Sequence, residues 1–247
     1  MRKKYYSLEI INREADIYIF GDIVEDWEKE WFGFESDVSA MSLANEIKDL
    51  DVDVINVHIN SYGGVVSEGL AIYNTLKNHK AKTRTIVDGF ACSAASVVFM
   101  AGEERLMNDA SLLMIHNAWT YVSGNANELR KYADDLEKIT QGSIEAYKAR
   151  ATIDEDKIKE MMDAETWILP SEAVEWGFAT DVIAATETDK AAASARKALF
   201  NLVHNSLVLQ EIPVDIGDDG TPEPEPEPIP EPPKENKPIK FLSALMR

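Results

Sequence analysis

Cysteine is almost missing from this 247-residue chain: Cys92 stands alone, so no internal disulfide can form, and a reducing cytoplasmic home is expected. Four scattered histidines and that one cysteine offer no zinc-ligand spacing. Long apolar runs are missing too. No stretch of about 18 apolar residues occurs, and no transmembrane helix is expected. Glu9, Asn12, Arg13 and Glu14 interrupt any apolar segment behind the basic Met-Arg-Lys-Lys start, so no secretory signal is expected. Positive charge is scarce: 25 Lys and Arg against 44 Asp and Glu give a net charge of −19 and a pI near 4.6. Such a surface repels nucleic acid and anionic membranes, so neither is expected as a partner.

Proline is rare until late in the chain. Eight of the ten prolines lie at or after Pro222, interleaved with glutamate. A proline-rich acidic segment can neither bury a core nor donate regular backbone hydrogen bonds. The expected organisation is therefore a globular domain over residues 1–185, a helical extension over 186–210, an acidic linker over 211–238 and a short apolar, basic peptide over 239–247. With 45% hydrophobic residues, the first part can bury one substantial core.

Strand and helix patterns alternate within that part. Residues 17–20, 52–60, 83–87, 105–107 and 112–115 read as strands; residues 83–87 are followed by Asp88 and Gly89 as an expected strand end. Val66, Leu70, Tyr73 and Leu76 share one helical face. Residues 91–101 are small and apolar, as in a buried helix. Leu129, Tyr132, Leu136, Ile139 and Ser143 mark a long amphipathic helix reaching about Arg150. Residues 152–155 resemble a capping box for the next helix, and residues 171–176 form a short helix closed by Gly177. This order predicts an α/β fold with mostly parallel strands.

Four segments carry candidate chemistry. In Gly89-Phe-Ala-Cys-Ser-Ala-Ala-Ser96 a strand runs into a helix of small residues at Ser93. A hydroxyl there would be presented at a sharp junction, beside free helix N–H groups suited to an oxyanion; the plainer reading is a helix cap. Asn60-Ser-Tyr-Gly-Gly64 is a second junction whose glycines leave N–H groups accessible, or a plain tight turn. His116 ends the apolar run Leu112-Leu-Met-Ile, placing an imidazole at a strand end, where a hydrogen-bonded structural histidine is the alternative. His79, in a polar stretch, reads as a solvated helix end. In Asp163-Ala-Glu-Thr-Trp167 an acid could orient a histidine, although carboxylates are abundant on this surface.

These four segments, in this order and at these separations, resemble the Clp protease proteolytic subunit over about residues 15–184. The glycine turn, the G-x-A-x-S segment, the M-I-H segment and Pro170-Ser-Glu-Ala-Val-Glu-Trp-Gly177 carry the likeness. The resemblance implies the ClpP/crotonase-like α/β spiral of β-β-α units with a protruding handle helix. It implies Ser93 as nucleophile, His116 as base, and Gly64 and Ala94 as oxyanion-hole donors, in an acyl transfer that needs no metal or organic cofactor. The family's aspartate falls on Glu165, with Asp163 in reserve. It also implies a homo-oligomeric ring, two stacked heptamers, acting on protein substrates.

The aromatic segment between Ile23 and Ser42, the Glu-Thr-Trp167 variant and the Pro-Glu tail are similar to the Clp-like head maturation proteases of phages and prophages. That resemblance implies capsid and scaffold proteins as substrates, in the host cytoplasm or prohead. The short region before the first strand argues against docking of an unfolding ATPase. The alternatives are ATPase-partnered degradation of cytoplasmic proteins, a crotonase-like acyl-CoA enzyme, which would not need the Ser93–His116 pair, and a noncatalytic ring component.

Overall fold

The computed structural model describes residues 9–31 and 36–184, all within one unit, Met1–Ala184. Phe32, Phe34 and the expectations for residues 185–247 lie outside the described residues. In chain order the elements are β1 (Glu9–Ile11), β2 (Glu14–Ile19), α1 (Asp26–Trp31), α2 (Ala40–Ile47), β3 (Val54–Ser61), α3 (Val66–Lys77), β4 (Lys82–Cys92), α4 (Ala94–Phe99), β5 (Glu104–Asn108), β6 (Leu112–Ile115), α5 (Ala126–Lys148), α6 (Glu155–Asp163), β7 (Thr166–Ile168), α7 (Pro170–Glu175) and β8 (Asp181–Ile183).

The strands join in one sheet of order β1-β2-β3-β4-β5-β8, with β6 paired to β4 and β7 paired to β6. All pairings from β2 to β8 along that path are parallel, as is β4 with β6, while β1–β2 and β6–β7 are antiparallel. This is the mixed α/β architecture that the alternating strand and helix patterns predict.

The expected end of β4 is corrected. β4 does not stop at Val87 but continues through Asp88 and Gly89 to Cys92. Its two halves serve different neighbours: residues 84–87 pair with β5 and residues 90–92 with β6. Turn-forming residues inside the strand reflect this change of partner, since Asn60 Oδ1 accepts from Phe90 N–H at 3.2 Å where the β3–β4 register shifts. A strand shared in this way carries its C-terminal end beyond β5, to the tip of β6.

The core lies on one face of the sheet. Ile17, Ile19, Ile55, Val57, Ile59 and Val87 pack there under α3 and α4 with Val98, Phe99 and Tyr147. Every residue of α4 is buried. Gly69 of α3 lets the two helices close, because a Cβ at that position would stand 2.8 Å from the Ala94 Cβ. α5 behaves differently along its length. Its first turns are exposed, with Leu129, Tyr132 and Ile139 open to solvent, and burial begins at Thr140. Asn125 caps it in a reciprocal capping box with Glu128. The cap of α6 is Asp154, which accepts from Lys157 N–H at 2.8 Å, and not Thr152 as the sequence pattern suggested.

A buried cation ties the sheet to the last turn. Arg105 on β5 is only 6% exposed. Its guanidinium donates to the carbonyls of Phe178 at 2.8 Å, Gly102 at 3.0 Å and Gly177 at 3.2 Å. Burial pulls its pKa down to about 10, still far above neutral, so the charge persists. Arg105→Met fills similar space but strands these carbonyls. It is expected to lower unfolding stability by about 2–4 kcal/mol, read as a lower urea midpoint at an unchanged slope.

Candidate active site

Three strand ends converge to make the site. β3 ends at Ser61, and the chain turns through Gly63 (φ +95°) and Gly64 (φ +142°). Ser61 Oγ accepts from Gly63 N–H at 3.0 Å. The turn is clamped to Ile23: Ile23 N–H donates to Gly63 O and Val65 N–H to Ile23 O, each at 2.8 Å. Gly64 N–H lies between these bonds and makes none itself among the described residues. Side chains are excluded at both glycines by space as well as by φ. A Cβ on Gly63 would meet Cys92 O at 2.5 Å and Ala94 N at 2.9 Å, and one on Gly64 would collide with Ile23 O.

The second strand end is that of β4. Ser93 follows it at φ 55°, ψ −125°, a conformation that non-glycine residues rarely adopt and that costs about 1–3 kcal/mol. The surrounding structure over-determines it. Ser93 N–H donates to Met114 O at 2.9 Å, and burial of Val97, Val98 and Phe99 just beyond is worth about 1.5–3 kcal/mol each. Although Ser93 occupies the N-cap position of α4, its side chain makes no capping bond. The hydroxyl lies instead 2.7 Å from His116 Nε2, so the plainer reading of Ser93 as a helix cap does not apply.

His116 sits there because of register. β6 runs parallel to β4 with Cys92 opposite Met114, so the residues just past both strands emerge at one edge. With Ser93 O–H donating, Nε2 must be unprotonated, which places the proton of the neutral ring on Nδ1. Burial pushes the His116 pKa below its ordinary value, partly opposed by the negative charge of Glu165. Desolvation therefore keeps this ring in the neutral form, which can accept a proton.

The antiparallel β6–β7 ladder brings the third segment in. Ile115 faces Thr166, and one further step of the same register sets His116 against Glu165. Glu165 ends α6 in the left-handed region, φ 48°, with its N–H donating to Met162 O at 3.2 Å. Its carboxylate is exposed and acts on His116 through space; among the described residues no hydrogen bond joins the two. Asp163 is engaged elsewhere, accepting from Asn117 Nδ2 at 2.7 Å. The structure thus unites Ser93 with His116, sets Glu165 beside the ring, and gives Asp163 to the residue after it. Ala94 N–H opens α4 and, like Gly64 N–H, has no backbone partner among the described residues.

Several supports of the site carry no signal in the sequence pattern. Tyr62, Phe90 and Trp167 form a row of edge-to-face rings, 5.5 and 5.7 Å between centroids, which links the glycine turn, β4 and β7. Asn117 was legible only as the neighbour of His116. His79 is no solvated end: Nδ1 accepts from Ala81 N–H at 3.0 Å, and Nε2 therefore donates to Ile47 O at 3.0 Å. Cys92, beside the nucleophile candidate, is fully buried, and burial raises its thiol to about 12, so it carries no thiolate near neutrality.

Comparison with known proteins gives the family. The profile described as Clp protease matches residues 3–186. The chain belongs to the Clp protease family. An ATP-dependent Clp protease proteolytic subunit from Deinococcus radiodurans is 32% identical over 138 residues, covering 55% of this chain and 68% of that protein. Membership makes the chain a serine protease of the ClpP type, from a family whose members are typically oligomeric rings with protein substrates. Among the described residues, no helix is long and apolar enough to cross a membrane. Likewise no group of three or more His, Cys, Asp or Glu is placed to hold a metal ion.

The opposing effects on His116 make a direct test. In the wild type its imidazole is expected to titrate below 6.5. Glu165→Gln removes the one influence that raises the value, so the midpoint should fall further. NMR titration of the ring protons reads both; a midpoint unchanged or raised in Glu165→Gln would show that the two groups are not coupled.

Proposed function

We propose that this chain is a serine endopeptidase in which Ser93 is the nucleophile and His116 the general base. The 2.7 Å contact between a strained, uncapped Ser93 and a desolvated imidazole carries this reading. His116 Nε2 takes the Ser93 proton as Oγ attacks a peptide carbonyl, and the carbonyl π-bond electrons move to oxygen. The resulting oxyanion is held by Gly64 N–H and Ala94 N–H, where loss of one such donor would cost about 10²–10³ in rate. The imidazolium then protonates the departing amine, leaving an acyl-enzyme. Water repeats the sequence to release the acid and restore Ser93. Glu165 stabilises the imidazolium by its charge, and a short movement of its exposed side chain would let it accept the Nδ1–H bond. No cofactor enters any step.

The substrates we propose are capsid and scaffold proteins processed during phage head maturation, in the host cytoplasm or the prohead. Trp27 and Trp31 in the aromatic segment are 54% and 77% exposed, as an assembly contact requires, and the Glu-Thr-Trp167 segment and the Pro-Glu composition of residues 211–238 support the same reading. The working form would be a homo-oligomeric ring, two stacked heptamers, closing around the sites. The proposed division is a peptidase domain to residue 185, a helical extension to 210, a linker to 238 and a terminal peptide. A second reading is favoured by the relative from Deinococcus radiodurans, which is named as ATP-dependent. On that reading the chain degrades cytoplasmic proteins with an ATPase partner.

Mass spectrometry of the chain co-expressed with the capsid and scaffold genes of its own locus, wild type against Ser93→Ala, tests both readings. New termini only in the wild type, without added ATPase, are expected. New termini that persist in Ser93→Ala overturn the nucleophile. Cleavage that appears only with a Clp ATPase and ATP replaces head maturation with degradation.

A further inference from the structure

Beneath the site, a polar pair is buried with no part in the chemistry described so far. Tyr147, near the end of α5, is 1% exposed, and Ser96 on α4 is fully buried. Ser96 Oγ lies 2.6 Å from Ser93 O and 2.7 Å from Tyr147 Oη. Proton counting settles the direction. Ser93 O can only accept, so the single Ser96 hydroxyl proton goes to it, and Tyr147 O–H must donate to Ser96 Oγ. Burial raises the Tyr147 pKa well above the ordinary phenol value, so this hydroxyl remains a proton donor across the working range. Its ring is held edge-to-face against Phe178, with centroids 5.8 Å apart.

The carbonyl they grip shares a peptide plane with the Ala94 N–H. A trans peptide points its C=O and N–H in opposite directions, and the described chain contains no cis bond. Ser93 O receives Ser96 N–H at 2.9 Å, Val97 N–H at 3.4 Å and the Ser96 hydroxyl at 2.6 Å, all from the α4 side. Drawing the carbonyl into the core turns the Ala94 N–H outward, toward the space above Ser93. The same anchor resists relaxation of the strained Ser93 dihedrals, a relaxation that would swing Oγ away from His116.

We propose that Ser96 and Tyr147 are positioning residues that orient the Ser93–Ala94 peptide, so that Ala94 N–H faces the developing oxyanion. This rests on Ser93 being the nucleophile. Because negative charge reaches that oxygen only as the bond to Ser93 forms, and not in the bound substrate, the pair acts on the chemical step and not on substrate affinity. α5 thereby reaches the site through its last buried tyrosine, although its first turns stand clear of the core.

The test uses the full chain and a fluorophosphonate probe, whose attack by serine also develops negative charge on oxygen. Labelling rate and apparent probe affinity are measured for the wild type, Ser96→Ala, Ser96→Thr and Tyr147→Phe, normalised to the labelled fraction. Ser96→Ala is expected to slow covalent labelling about tenfold or more at unchanged affinity, and Tyr147→Phe about threefold, less than outright loss of a donor. Ser96→Thr, which keeps the hydroxyl, should recover most of the rate. Normal labelling rates per site in both Ser96→Ala and Tyr147→Phe, whatever their melting temperatures, overturn the positioning role alone. If Ser96→Ala does not fold, Tyr147→Phe decides by the same rates: about threefold slower labelling supports the role, and a normal rate overturns it. Wild-type labelling at a residue other than Ser93, or none, overturns the nucleophile and the positioning role together.

Discussion

The contact between Ser93 Oγ and His116 Nε2 depends on a backbone conformation that the chain would not adopt unaided. At φ 55° and ψ −125° Ser93 is out of the ordinary regions, and the cost of about 1–3 kcal/mol must be met by what flanks it. Its amide is fixed by Met114 on β6, its carbonyl by the first turn of α4, and the helix itself is buried throughout. Relaxation of any of these anchors would let the hydroxyl fall back onto the helix end as an ordinary cap. The strain is thus local, while the forces that hold it are spread across the sheet and two helices.

The same economy governs the remaining parts. β4 is long because it serves two neighbours, and that change of partner carries Ser93 to the edge where His116 emerges. The antiparallel pairing of β7 with β6 then sets Glu165 opposite the ring, while Asn117 holds Asp163 one step further along. Gly63 and Gly64 close the arrangement because only residues without a Cβ can pass between Ile23 and the start of α4. Each functional atom is placed by strand register, a property that tolerates little slippage where one face of the sheet is buried.

Electrostatics at the site follow from burial more than from paired charge. The imidazole is held neutral chiefly by desolvation, and the thiol of Cys92 is silenced by the same effect. Glu165 opposes the first of these from an exposed position by its charge; among the described residues no hydrogen bond joins its carboxylate to the ring. A carboxylate placed this way favours a protonated ring by its charge, while burial leaves the resting ring neutral and able to accept.

Much of this was legible along the chain. Apolar periodicity marked β3, α3 and α5, and the glycine pair and small-residue segment pointed to two junctions bordering one site. The order of four short segments pointed to the family. Other features were not legible, because they depend on which strands become neighbours. Asp88 and Gly89 look like a strand end, yet β4 runs through them, since a switch of sheet partner leaves no mark on local propensity. Thr152 looks like a cap, yet Asp154 takes that place. The partnership of Ser96 with Tyr147, 51 residues apart, has no local signature. What the sequence alone determined was the inventory: a hydroxyl, an imidazole, a carboxylate and glycines at strand ends, with enough apolar residues to bury a sheet. Only the tertiary structure decided which of them meet and in what protonation state, because strand register and desolvation are properties of packed neighbours and not of the order of residues.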